Sequence, residues 1–255
     1  MLSTESFSGK RALITGGAKR LGRETALALG RAGVHLAIHY NSSKAPADAL
    51  CEELQSVGSA AFPIQANLEN PVEVESLFAN AWDRMEGLDF LVNNASIFPA
   101  DRLEEVELSH LHKNLQVNAW APFLLIRAFS RRIRGTDKRG SVVNLLDTRL
   151  VGGDLAHASY HLSKATLREI TTLTALEFAP ELQVNGVAPG AVLAPEEEGE
   201  GEDHLDQLTS DLPLKRRGHP KDIADAILFL LGASFVTGQV LFVDGGRHLR
   251  LGGNT

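Results

Sequence analysis

Short apolar runs alternate along this chain with longer segments whose apolar positions recur every three or four residues. The short runs read as buried strands and the longer segments as amphipathic helices. Strands are predicted at 11–15, 34–40, 60–65, 89–92, 141–146, 183–187 and 239–243. A glycine-rich turn at 16–22 opens a helix to about 32, where Gly33 stops it. A second helix is predicted at 45–57. Asn70, Pro71 and Glu73 form a helix start, with a cap, a fixed first residue and an acid in the first turn. That helix runs to about 85. Positions 111–134 make one long helical pattern that Pro122 is expected to kink, with Asn118 just before the kink. Further helices hold Tyr160 and run to about 178, and start at His219-Pro220-Lys221-Asp222 and run to about 231. The order strand, helix, strand persists from end to end without a linker or a repeat. It predicts an α/β fold: one doubly wound Rossmann-type domain over 1–255 with a mostly parallel, seven-stranded sheet.

Composition narrows the setting. A chain of 255 residues that is 44% hydrophobic buries a sizeable core without staples. A net charge of −7 argues against nucleic acid or an anionic membrane as the main partner. The single cysteine, Cys51, can form no internal disulfide, which fits a reducing compartment. There is no apolar leader at 1–9 and no apolar run of transmembrane length, so a soluble cytoplasmic protein is expected. No spacing of His, Cys, Asp or Glu points to a metal.

In open α/β sheets ligands bind at the carboxyl ends of the strands. Three such ends carry chemistry here. After the first strand, the turn Thr15-Gly16-x-x-x-Arg20-x-Gly22, with Lys19 and Leu21, places backbone N–H groups at a helix N-terminus, which attracts phosphate. Arg20 stands where a middle glycine is expected. After the second strand, His39-Tyr40-Asn41-Ser42-Ser43 contains no acid. An acid there would grip a ribose hydroxyl and repel a 2′-phosphate, so NADPH is expected over NADH. After the fifth strand stands Asp147, with Tyr160 thirteen residues on and Lys164 a helical turn beyond it. A phenol beside an ammonium is a proton-donor design, because the cation favours the phenolate. Taken alone, Tyr-x-x-x-Lys is a weak motif, and the pair reads more readily as a surface i,i+4 contact. The connection 193–218, with its acid-rich run 196–203, reads as a substrate loop or as a solvated surface loop.

As a set, Thr15-Gly16…Gly22, Asn93-Asn94-Ala95, Asn118, Tyr160-x-x-x-Lys164, Pro189-Gly190 and Asp244-Gly245-Gly246 resemble the short-chain dehydrogenase/reductase family over essentially the whole chain. The resemblance implies NAD(P)-dependent hydride transfer. Tyr160 would be the acid/base, Lys164 would lower its pKa and hold the nicotinamide ribose, and Asn118 would support a water relay. It implies a homotetramer. The cofactor would lie along Gly16, Lys19, Arg20, Leu21, Gly22, His39, Tyr40, Asn41, Ser42 and Ser43. It would continue past Asn67, Leu68, Asn94, Ala95 and Ser96 to Tyr160, Lys164, Pro189, Gly190 and Val192.

Most members of that family carry a serine where Asp147 stands, and an ionised carboxylate cannot donate a hydrogen bond to a ketone. Asp147 with Tyr160, the turn 17–22, His39-Tyr40 and Asn94-Ala95-Ser96-x-Phe98 resemble pteridine reductases. By that resemblance the substrate is a pterin, stacked on Phe98 and met by Arg20, Ser96, Asp147 and Tyr160. Phe98 reads alternatively as a core residue. Ser42 stands where some of these reductases carry an arginine, Asn67 replaces a more usual aspartate, and 194–203 has no counterpart. Two other functions stay open on the residues: a reductase of another carbonyl, such as a 3-oxoacyl thioester, and a catalytically silent NADP-binding subunit.

Overall fold

The computed structural model describes residues 7–193, 209 and 212–251. Seven strands form one sheet in the order β3-β2-β1-β4-β5-β6-β7. They are β1 (Arg11–Thr15), β2 (His35–Tyr40), β3 (Ala61–Gln65), β4 (Phe90–Asn93), β5 (Gly140–Leu145), β6 (Leu182–Pro189) and β7 (Val240–Val243). All six pairings are parallel. The expected mostly parallel sheet is therefore parallel throughout, which requires a crossover between each pair of successive strands and helices on both faces.

Strand alternation divides the core in two. Leu13, Val142 and Val184 point to one face and meet Leu77 and Phe78 of α3 (Pro71–Arg84), Leu125 and Phe129 of α5 (Ala121–Ile133), and Leu167 of α6 (Ala158–Glu177). Ala12, Ile14 and Val143 point to the other. There they meet Leu27 and Leu29 of α1 (Arg20–Arg31), Leu50 and Leu54 of α2 (Lys44–Ser56), and Ile223 and Ile227 of α7 (Pro220–Gly232). All six residues of β5 are buried, the apolar Val142, Val143 and Leu145 as predicted and the polar Ser141 and Asn144 with them. Each large side chain fully buried in these layers contributes roughly 1.5–3 kcal/mol.

The sheet grows outward from β1 to β3 and then resumes at β4 on the other side of β1. That reversal opens a crevice at the carboxyl ends of β1 and β4. Register places Thr15 beside Asn93. The phosphate-type turn and the Asn94-Ala95 loop therefore leave the sheet side by side.

Two expectations change. The single kinked helix at 111–134 is instead α4 (Leu108–Leu115), a π-helical turn (Gln116–Trp120) and α5. Pro122 has no N–H to give the Asn118 carbonyl four residues earlier, so the ladder cannot continue in α register. The Ala121 N–H reaches back five residues to the Gln116 carbonyl, and Pro122 opens the next helix. Such π turns concentrate at functional sites, and this one carries Asn118. The sixth strand reaches Pro189, beyond the predicted 183–187, because it pairs with both β5 and β7. After β7 the chain forms a short helix, α8 (Arg247–Leu251). The Asp244 carboxylate accepts the N–H groups of Gly246 and His248 and the hydroxyl of Thr148, which starts that helix and ties it to the segment after Asp147. The acid-rich run 196–203 and most of the 193–218 connection lie outside the described residues.

Candidate active site

The turn after β1 is built for close approach. Gly16 has a φ of +60°, and a Cβ there would stand 2.9 Å from the Ala95 Cα. A Cβ on Gly22 would run into the Gly16 carbonyl oxygen and the Asn94 amide. Arg20 takes a φ of +53°, the left-handed conformation of the glycine expected in its place. His39 is 2% exposed and supports the turn from beneath. Its Nδ1 accepts the Gly16 N–H at 3.0 Å, and its Nε2 bonds the Ala66 carbonyl at 3.0 Å. Burial pushes its pKa down to about 4 against that second bond, which keeps the ring neutral. His39 thus acts on the cofactor region through the turn. The Thr15 hydroxyl and the Asn94 side chain lace the two loops together. Asn94 and Ala95 donate their N–H groups to Thr15 Oγ1, and Asn94 Nδ2 donates to the carbonyls of Thr15 and Gly16.

These residues fit a nucleotide. No side chain caps α1 at Lys19, and no acid lies in its first turn, so the positive end of this helix suits an anion. Lys19, Arg20 and Arg23 line a groove of about 450 Å³ beside the turn, with Glu53 paired to Arg23. Tyr40 ends β2, followed by exposed Asn41 and Ser42 and half-buried Ser43 at the start of α2. Asn67 shapes the next loop, its Oδ1 accepting the Glu69 N–H. Leu68 belongs to the core, so only its backbone can serve a cofactor there. At the far side, Pro189 closes β6, and a Cβ on Gly190 would meet Asp244 at 2.6 Å. Val192 is 3% exposed and packs into the second core layer.

Asn118, fully buried, joins three elements. Its Nδ2 donates to the Ile97 carbonyl at 2.9 Å and to Ser163 Oγ at 3.0 Å; its Oδ1 accepts the Ile97 N–H and the Ser96 hydroxyl. Ser96 is thereby held at the loop rim, two residues before Phe98.

Asp147, Tyr160 and Lys164 converge as expected. Tyr160 Oη donates to Asp147 Oδ2 at 2.8 Å. Asp147 also accepts the Arg149 N–H at 2.7 Å and Arg149 Nη1 at 3.3 Å. Lys164 is 3% exposed and donates to the Leu145 carbonyl at 2.6 Å. Burial brings its pKa down to about 8, opposed by Asp147. The expected lowering of the Tyr160 pKa by Lys164 is not found. Burial, the charge of Asp147 and the hydrogen bond to it hold the phenol well above its usual value of 10.0. The reason is geometric: the ammonium turns to the Leu145 carbonyl, while the phenol donates a hydrogen bond to a carboxylate. Across the neutral range Tyr160 is an O–H donor.

Phe98 is a wall of this site. It meets Tyr160 edge-on at 4.5 Å and stacks on His157 at 3.9 Å, with the Arg149 guanidinium 4.8 Å from its centroid. Sequence reasoning missed Arg149, Asp154 and His157. No sequence signal singles them out, because charge between β5 and α6 is about as dense as along the rest of the chain and its spacings match no familiar motif. His161 has a buried Nδ1 that bonds nothing among the described residues, unlike a satisfied structural histidine.

Among the described residues no cluster of His, Cys, Asp or Glu could hold a metal, and no helix is long and apolar enough to cross a membrane.

Residues 16–248 match the family model described as enoyl-(acyl carrier protein) reductase. A 3-oxoacyl-[acyl-carrier-protein] reductase of Staphylococcus epidermidis is 32% identical over 245 residues, 94% of this chain and 99% of the relative. One from Synechocystis is 33% identical over 94% of this chain and 98% of its own length. Among solved structures, FolM alternative dihydrofolate reductase 1 from Brucella canis, complexed with NADP, superposes with a TM-score of 0.86 at 31% identity, covering 94% of each chain. A blue fluorescent protein from a metagenomic library, in complex with NADPH, superposes with a TM-score of 0.86 at 32% identity over 94% of this chain and 98% of its own. Matched by the family model over residues 16–248 and by relatives along nearly their full length, the chain belongs to the short-chain dehydrogenase/reductase family.

Proposed function

We propose that this protein is an NADPH-dependent reductase of pterins, taking a dihydropterin or dihydrofolate to the tetrahydro form. The observation that carries the reading is the Tyr160–Asp147 hydrogen bond of 2.8 Å. A carboxylate occupies the place where carbonyl reductases of this family carry a hydroxyl donor. A carboxylate repels a ketone oxygen, whereas a pterin edge offers N–H donors to it. Phe98 supports the reading as a flat apolar wall beside that pair. The solved FolM relative, named an alternative dihydrofolate reductase, supports it from outside.

NADPH, when bound, supplies the hydride. Gly16, Gly22 and the positive end of α1 would receive its pyrophosphate, Lys19, Arg20 and the hydroxyls of Ser42 and Ser43 its 2′-phosphate, and Lys164 its ribose. Tyr160 Oη gives the proton that the reduced ring nitrogen takes up. Asp147 orients that phenol through their hydrogen bond and accepts from the substrate's N–H edge. The reading includes a homotetramer in the cytoplasm, which sedimentation and cell fractionation test.

The names of the sequence relatives favour a second reading, reduction of a 3-oxoacyl thioester. One experiment separates the two: NADPH consumption with dihydrobiopterin, dihydrofolate and a 3-oxoacyl thioester side by side. Turnover of the thioester alone would replace the pterin reading. In the pterin reading, Asp147→Ser and Asp147→Asn each cut dihydropterin turnover by roughly 10², while weak ketone reduction survives in the serine form.

A further inference from the structure

The contacts around Tyr160 close into a ring. Tyr160 bonds Asp147, which holds Arg149 Nη1 at 3.3 Å. Arg149 Nε meets Asp154 Oδ2 at 2.9 Å, and that same oxygen bonds His157 Nδ1 at 3.0 Å. His157 stacks on Phe98 at 3.9 Å, and Phe98 packs edge-on against Tyr160 at 4.5 Å, which completes the circuit.

Asp154 reaches this place by backbone geometry. Gly152 and Gly153 have φ of +93° and +80°, left-handed values that fold the segment back over Arg149. The Ala156 N–H then fixes the other carboxylate oxygen at 2.9 Å. The Asp154 side chain is 12% exposed, so its bonds are little screened.

We propose that Asp154 is a positioning residue for the reduction: it holds Arg149 against Asp147 and His157 against Phe98, so that the proton-donating pair and the aromatic wall are set as one unit. The proposal rests on the assignment of Tyr160 as the proton donor. Asp154 touches no reacting atom and acts through the two residues it binds. Burial alone would raise its pKa; the bonds from His157 and Ala156 and the nearby Arg149 outweigh that and hold it below the usual carboxylate range. The charged and titratable groups around it are Arg149, Asp147, His157 and Tyr160, Lys164 behind Asp147, and Arg247 from α8.

A role in setting charge has a signature that mere scaffolding lacks. Asp154 favours the protonated phenol of Tyr160, and Arg149 disfavours it. Removing each charge must therefore move the alkaline limb of the rate profile in opposite directions, whether that limb belongs to the phenol or to the Lys164 ammonium, because a nearby anion raises both pKa values and a nearby cation lowers both. In Asp154→Asn the limb moves to lower pH, and in Arg149→Met to higher pH, each by roughly 0.5–1 pH unit for one charge at this range. Asp154→Asn lowers kcat about tenfold at neutral pH with the KM for NADPH within about twofold, as expected for lost positioning. Asp154→Glu keeps the parental limb. The profiles are measured on whichever substrate the parent enzyme turns over, dihydropterin or 3-oxoacyl thioester, since Tyr160 donates the proton in both cases. A parent inactive on dihydropterin but active on the thioester removes the pterin reading and leaves this test intact. Limbs that stay fixed, or move the same way in both variants, overturn the role of Asp154. If Asp154→Asn fails to fold by circular dichroism, the direction of the Arg149→Met limb decides alone.

Discussion

Acid should loosen this fold at His39. The ring is buried and bonded at both nitrogens, accepting from Gly16 and bonding the Ala66 carbonyl. That pattern needs the neutral tautomer with its proton on Nε2. Burial brings its pKa from 6.5 to about 4 in the folded chain. Between those values the unfolded chain holds the extra proton and the folded chain does not, so stability rises with pH. The contribution is complete above the unfolded pKa and is lost as pH falls through the folded one. At about 1.36 kcal/mol per pH unit, the whole span is worth roughly 3 kcal/mol, of which about 2.5 kcal/mol is gone by pH 4.5. The comparison is His39→Asn against the parent, by guanidinium unfolding at about pH 7.5, 5.5 and 4.5. Near pH 7.5 the variant should be about 1–3 kcal/mol less stable, because the Ala66 carbonyl loses its donor. Toward pH 4.5 the difference should shrink by about 2.5 kcal/mol, since asparagine does not titrate. Stability curves that run parallel across that window would refute the assignment. Because protonation also takes away the acceptor of the Gly16 N–H, NADPH binding to the parent should weaken over the same window.

Tyr160→Phe should lower turnover by roughly 10² with little change in cofactor affinity, while Lys164→Ala lowers both; stopped-flow turnover and fluorescence titration of NADPH separate the two effects. Arg20→Gly should be more stable than Arg20→Ala by about 1 kcal/mol, because only glycine adopts a φ of +53° freely, and both should bind NADPH less well than the parent; thermal melts and titrations read this. Cys51 is 4% exposed, and burial pushes its thiol up to about 11, so it should resist a disulfide reagent until denaturant unfolds the chain; fast labelling of the native protein would contradict that.

Much of this molecule is legible one segment at a time. The Val142-Val143 and Leu145 positions of β5 specify a buried strand, because a strand covered on both faces is apolar at neighbouring positions instead of at alternate ones. Asn70-Pro71-Val72-Glu73 specifies a helix start, because its cap, its fixed φ and its acid all act within one turn. The turn at 16–22 and the Tyr160/Lys164 pair are equally local, as spacing along a helix places both groups on one face. Tertiary structure decided what depended on distant partners. The π turn at Asn118 balances a missing Pro122 donor against bonds that Asn118 donates to Ile97 and Ser163 elsewhere in the fold. The protonation of Tyr160 follows from burial and from Asp147, and the lysine four residues away turned to a strand carbonyl instead. The ring through Arg149, Asp154, His157 and Phe98 is also nonlocal. It exists because β4 and β5 are neighbours, which brings the loop carrying Phe98 against the start of α6. Local propensity acts over one turn, whereas charge, burial and stacking act between whichever groups the sheet brings together.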